Sequence, residues 1–137
     1  MAKLVLKNAY VSINNVDLSQ YVRSVTLETS KDTPDSTTMG LDSKEFLAGL
    51  RDGSITVEFV QDDAAGAVSA TLWGVYTSDN PVPFEVRPKQ TAVATDNPKY
   101  TGSCHLGSFT PIGGSVGDVG MNPTTFQITG DVTRATS

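Results

Sequence analysis

A two-residue rhythm of apolar and polar side chains returns in three separate segments of this chain and limits what it can fold into. In residues 22–29, Val25 and Leu27 fall on one side while Ser24, Thr26 and Glu28 fall on the other. In residues 54–61, Ile55, Val57 and Phe59 alternate with Thr56 and Glu58. Near the C-terminus, Phe126, Ile128 and Val132 oppose Gln127, Thr129, Asp131 and Thr133. Successive side chains of an extended strand point to opposite faces, so each segment reads as a half-buried strand with one wet face. Residues 9–13 add a short strand that ends at Asn14-Asn15, a pair that tolerates the positive φ of a tight turn. Residues 83–88 and 100–109 complete a set of six or seven strands. Composition agrees: 17 Thr, 15 Val and 13 Ser stand against 4 Glu and 6 Lys, so residues that suit strands and loops outnumber those that fill helices.

Two segments break the rhythm. Residues 31–42 form a polar stretch with Pro34 and Gly40, and a loop of that length inside a domain usually carries a function or lacks order. After it, residues 43–50 predict a short helix, with Phe46, Leu47 and Leu50 on the face that packs and Asp42 or Ser43 as its cap. A second helical candidate covers residues 63–76, where Val68, Leu72 and Tyr76 recur every four residues and Asp62-Asp63 can cap the first turn. Residues 90–98 and the glycine-rich 112–120 read as loops. With no repeat and no linker, residues 1–137 are expected to form one mainly β domain, a β-sandwich or barrel-like sheet with one flanking helix and a second short one beside it. A chain of this length buries about 70% of its unfolded surface, enough for a core without staples.

Several function classes are excluded. The net charge is −5 and the ten basic residues are scattered, whereas a reader of nucleic-acid sequence presents a basic patch. Residues 1–7 lack the apolar stretch of a secretory signal, and no run approaches the roughly 20 apolar residues that span a bilayer. No membrane insertion is therefore expected. One cysteine, Cys104, rules out an internal disulfide framework. Cys104 and His105 are neighbours on a strand and point to opposite faces, with no further Cys or His to complete a metal site. Asp62-Asp63 has no surrounding calcium loop. Glu58 and Glu85 are a carboxylate pair only if the fold brings them together. Gly113-Gly114-Ser115-Val116-Gly117 matches the G-x-S-x-G pentad, but no helix pattern follows it and the single histidine lies upstream, against the required order. No phosphate-cradling motif occurs. Neither catalysis nor a metal or cofactor is expected.

The order of the segments resembles a known family. The run from Phe46 through Leu47, Gly49, Leu50 and Asp52 to Val57 looks like the "F-L-x-G-L-x-D" helix-to-strand passage of siphophage major tail tube proteins, and Thr38-Met39-Gly40 precedes it. Residues 84–88, 97–102, 111–118 and 132–137 are similar to major tail proteins of phages that infect actinobacteria. The resemblance implies a β-sandwich flanked by a helix, assembled as stacked hexameric rings through which phage DNA is ejected. The implied partners are ring neighbours, stacked rings, a tape-measure protein and tail-end proteins, in the tail of a virion assembled in the host cytoplasm. Carried onto this chain, Lys31, Asp32, Thr33, Pro34, Asp35, Ser36, Thr37, Thr38, Met39 and Gly40 match the loop that contacts a neighbouring subunit. Phe46, Leu47 and Leu50 match the apolar face of the flanking helix. Larger relatives carry an appended C-terminal domain, and none is expected here.

A conduit should let DNA pass without binding it, because each phosphate neutralised by Lys or Arg releases counterions and adds affinity. Ser24, Thr26, Glu28, Thr56, Glu58, Gln127, Thr129 and Asp131 supply polar faces with three acids and no base, and are the candidate lumen-facing set. The alternatives are another tail component of similar fold, such as a terminator or connector, and a free β-sandwich module that binds a glycan or host surface. A tube protein polymerises and a terminator does not, whereas a glycan binder exposes aromatics on a loop or sheet face.

Overall fold

Asn14 and Asn15 take φ angles of 53° and 64°, the left-handed pair that a tight hairpin turn requires. They fold β1 (Tyr10–Ile13) back on the two-residue β2 (Val16–Asp17). A single 3-10 turn then leads into β3 (Val22–Lys31), followed by β4 (Arg51–Val60), helix α1 (Val68–Thr77), β5 (Val82–Arg87), β6 (Lys99–Phe109) and β7 (Met121–Ala135). The computed structural model describes residues 8–63 and 67–136. The N-terminal heptad, residues 64–66 of the second helical candidate and the last residue of the C-terminal motif lie outside that set.

The seven strands form one antiparallel sheet in the order β2-β1-β5-β6-β7-β4-β3. Register decides which residues meet. Leu27 pairs with Ile55, Ile55 with Phe126, and Phe126 with Leu106, so one apolar row crosses four strands. Ile13 pairs with Phe84 and Val11 with Val86, which carries the same face to β1. Helix α1 covers this face: Val68, Leu72 and Val75 are buried in one cluster with Phe59, Phe126 and Cys104. The sheet curls until Val25 and Leu27 of β3 face Ala9, Val86 and Tyr100 across a cleft of about 360 Å³. The barrel-like fold expected from the sequence is present, built from one curled sheet, but the helix that flanks it is the second helical candidate and not residues 43–50.

Glycine has a defined use in this sheet. Gly102 lies opposite Phe84, and a Cβ there would come within 3.1 Å of the Phe84 ring and of the Asp131 carbonyl. The ring occupies the space a side chain would need. Asn97, fully buried, ties down the long connection between β5 and β6: its amide donates to the carbonyls of Thr91 (3.0 Å) and Ala92 (3.1 Å), and its Oδ1 accepts from the Lys89 N–H (3.0 Å).

The helix expected over residues 43–50 is absent. The chain there is extended and pairs back on residues 32–36, prolonging the β3–β4 hairpin into an arm. The Asp32 N–H donates to the Leu50 carbonyl (2.8 Å), that of Leu47 to Pro34 (3.0 Å), and that of Ser36 to Glu45 (2.8 Å), with a bridge between Asp35 and Phe46. Phe46, Leu47 and Leu50 are 53, 60 and 81% exposed, so they do not pack on the sheet as the helical reading required. An eight-residue helix is marginal without tertiary packing, and here an existing hairpin offers the same backbone partners. Pro34 serves as acceptor only, which its missing N–H permits. Nor do Asp42 and Ser43 cap anything helical. At α1 the residue before the first turn is Ala67, with no side-chain cap. Asp63 instead accepts hydrogen bonds from the side chains of Ser69 and Gln61, which hold its carboxyl below the usual range.

Candidate assembly and lumen surfaces

The face of the sheet turned away from α1 is polar. Across β3, β4 and β7 the register places Ser24 opposite Glu58, Thr26 opposite Thr56, and Thr56 opposite Thr125. Glu28 lies opposite Ser54, Ser54 opposite Gln127, and Gln127 opposite His105 on β6. Six of the eight candidate lumen residues, namely Ser24, Thr26, Glu28, Thr56, Glu58 and Gln127, are thereby gathered on one continuous surface. Thr129 follows Gln127 by two and faces Ser103, so it extends the same surface.

Asp131 does not stay with them. Gly130 takes φ 81°, and the β6–β7 register slips between Thr101 and Ser103. Past that irregularity the Asp131 carboxylate lies 4.0 Å from Arg51, which belongs to the row of Leu27 and Ile55 on the other face. Sequence reasoning missed Asp52, which takes the place on the polar face: its Oδ1 accepts from the Gln127 amide at 2.7 Å, and Gln127 also reaches the Gly53 carbonyl at 3.0 Å. The Gly53 that follows Asp52 hides the alternation. Only the pairing of Ser30 with Asp52 reveals its side.

The two ends of this face differ electrically. On β5 and β1, Arg87 lies 2.9 Å from the Glu85 carboxylate and stacks 3.9 Å from the centre of the Tyr10 ring, so charge there is compensated. On β3 and β4, Glu28 and Glu58 have no ion-pair partner among the described residues. Glu58 and Glu85 are separated by β7 and β6, three inter-strand steps or about 14 Å across the sheet, and lie near opposite ends of β7, level with Pro123 and Thr133. That spacing exceeds the range of a glycosidase pair.

Apolar side chains are exposed at both ends of the strands. At one end the arm, residues 32–50, is exposed throughout except for Ser36, and Met39, Leu41, Phe46, Leu47 and Leu50 lie bare on it. Gly49 allows close approach within the arm, since a Cβ there would meet Asp32 Cβ at 2.9 Å. Thr37 locks the outer part, accepting from the Glu45 N–H (2.7 Å) and donating its N–H to Asp35 (2.8 Å), and the Asp35 carboxyl is held low by the Thr37 hydroxyl first and by this N–H second. At the other end, residues 110–120 join β6 to β7 with Ile112, Val116 and Val119 exposed. The G-x-S-x-G pentad lies in this strand-to-strand loop, where the Asp118 N–H closes a turn on the Ser115 carbonyl (3.0 Å). A nucleophile elbow needs a strand-to-helix turn, and this is not one. Cys104 is buried, its thiol pushed up to about 12 by burial, while His105 points to the polar face. Among the described residues no group of three metal-ligating side chains comes together.

The curled antiparallel sheet with one crossing helix matches in fold chains of several tail and tail tube structures. A chain of the virion of a native gene transfer agent particle matches with a TM-score of 0.79 over 97% of this chain and 99% of its own, at 15% identity. A chain of the SPP1 tail tube matches with a TM-score of 0.78 over 98% and 80%, at 8% identity. A chain of the tail of an empty gene transfer agent particle, determined with C6 symmetry, gives 0.70 over 84% and 82%, at 18% identity. At such identities the likeness is one of fold. No protein-family model and no curated protein matches the sequence.

Proposed function

We propose that this chain is a structural subunit of a phage-type tail tube, polymerising as stacked rings around a channel through which DNA leaves the virion. The observation that carries the reading is the polar face of β3, β4 and β7. It is continuous, lined by hydroxyls, amides and the carboxylates Glu28, Asp52 and Glu58, and backed directly by the core. Such a wall of carboxylates and hydroxyls repels a polyanion, with Arg23, whose guanidinium lies 3.9 Å from the Met121 sulfur, as a cation at its rim.

Ring closure is supported by the sheet edges. β3 leaves ten residues of unpaired edge while the opposite edge, β2, has two, so a neighbour's strand has a long template on one side only. A head-to-tail contact of that kind closes a ring, and the C6 tail similar in fold supports six subunits. The arm, with its exposed Met39, Leu41 and Leu50, is the part that reaches a neighbouring subunit. In the assembled tail the same reading places a tape-measure protein in the lumen and tail-end proteins at the termini. The chain acts as one structural domain without catalysis.

Negative-stain microscopy of the purified protein tests this. Tubes with a central channel, lengthening with concentration, are expected. Isolated rings that never stack would indicate a terminator or connector instead, and a persistent monomer would indicate a free binding module.

A further inference from the structure

The two ends of strands β4 and β7 carry features of complementary shape and charge. At the end where β4 begins, a groove of about 420 Å³ opens beside the arm. Its floor is Tyr100, Ile128 and Val132, and its rim carries Lys31, Arg51 and Arg134. Asp131 also lines it, while the Asp52 carboxylate turns to the polar face toward Gln127, so three cations stand against one carboxylate. Arg51 is engaged by Asp131, and Arg134 donates to the Tyr100 hydroxyl at 3.3 Å. Lys31 has no ion-pair partner among the described residues.

At the other end, the loop of residues 110–120 projects as a knob. Val116 at its tip is fully exposed, with Ile112 81% and Val119 65% exposed beside it. Asp118 gives the knob one negative charge, and its carboxylate has no ion-pair partner among the described residues. The base of the knob is held firmly. The Asn122 amide donates to the carbonyls of Thr110 (2.8 Å) and Pro111 (2.9 Å), the Met121 N–H to Gly113 (3.1 Å), and the Gln61 N–H to Gly120 (2.8 Å).

We propose that the groove receives the 110–120 knob of a second copy of this chain in the next ring, with Val116 on the apolar floor and Asp118 paired to Lys31. Knob and groove face opposite ways along β4, separated by its length of about 30 Å. A contact between opposite ends of like-oriented copies cannot close on itself and propagates as a filament. The inference rests on the tube reading and adds to it the axial contact that fixes ring-to-ring register.

The test is a charge exchange followed by the critical concentration for tube formation. Asp118→Lys and Lys31→Glu each convert an attraction into a repulsion at every subunit of the ring junction. Each is expected to raise the critical concentration about tenfold, with the circular dichroism of the subunit unchanged, because both side chains are exposed. The double variant restores the pair in reversed sense and should return to within about twofold of the parent. As a second measurement, Val116→Cys with Ser30→Cys, treated with a short bismaleimide, should give a ladder of covalent oligomers from tubes, while the buried Cys104 stays out of it. Tubes that are insensitive to both reversals, a double variant no better than the singles, or no ladder from intact tubes would overturn the docking. An unaltered protein that forms no tubes would overturn the tube reading itself.

Discussion

Reversing Glu28 and Glu58 together to lysine tests the lumen assignment quantitatively. The exchange turns a face with three carboxylates, counting Asp52, into one with two cations and a single carboxylate. Glu28 is exposed and Glu58 half-buried, both pointing away from the core, so the fold should be nearly unaffected. The pairings Ser24 with Glu58 and Glu28 with Ser54 put the two positions four residues apart along neighbouring strands, about 14 Å. At that separation the two lysines reach different phosphates. Each phosphate neutralised on duplex DNA contributes about 0.9 to the slope of log K against log salt, so two per subunit give about −1.8 for each subunit engaged. Anisotropy titrations of a short duplex between about 50 and 200 mM salt read that slope on dispersed subunits. The parent protein should show negligible binding. In virions carrying the variant, DNA release should slow and recover as salt is added. Release kinetics identical to the parent, in particles whose subunits do show the slope, would refute the idea that this face lines the channel.

Four further outcomes follow from the packing. Phe126→Ala removes the fully buried ring between Ile55 and Leu106 and should cost about 4 kcal/mol, lowering the thermal midpoint by roughly 14 °C in a circular dichroism melt. Asn97→Ala deletes three hydrogen bonds of a buried side chain, worth about 1 kcal/mol each, for a drop of about 10 °C by the same measurement. The Cys104 thiol, pushed up to about 12, is thiolate only as the pH approaches that value, so iodoacetamide at neutral or mildly alkaline pH should label it on unfolding alone, read by mass spectrometry with and without denaturant. Met39→Ser with Leu50→Ser should leave the melt within about 1 °C of the parent, since both side chains are exposed, yet abolish tubes in electron micrographs.

Strand positions were legible because alternation is a local signal with a global consequence. Ser24, Thr26 and Glu28 had to share a side once Val25 and Leu27 turned to the core, and the same held for Thr56 and Glu58. Pairing is different. Nothing in the chain says that Thr56 sits between Thr26 and Thr125, or that β5 follows β1 in the sheet, because those contacts join residues far apart in sequence. Asp131 shows how a register slip defeats the pattern. The two-residue rhythm carries it onto the polar face on paper, but Gly130 adopts a positive φ and the strand continues with Asp131 turned toward Arg51. The glycine was visible in the sequence, whereas the direction of its effect required the partner strand.

The arm is the more instructive departure. Phe46, Leu47 and Leu50 do share a helical face, and a face of that kind normally means burial against the same chain. Here the segment begins on a strand already paired with its neighbour, so each residue added to the hairpin gains backbone hydrogen bonds without nucleating a helix. The apolar side chains are then left in solvent, together with Met39 and Leu41. A two-stranded hairpin standing alone is marginal in water, and this one buries almost nothing of its own. On the tube reading the resolution is intermolecular: the residues that imitate a core-facing helix are apolar because a core does cover them, and that core belongs to the neighbouring subunit. Periodicity reports that a side chain is destined for burial, and it is silent on which copy of the chain supplies the other half.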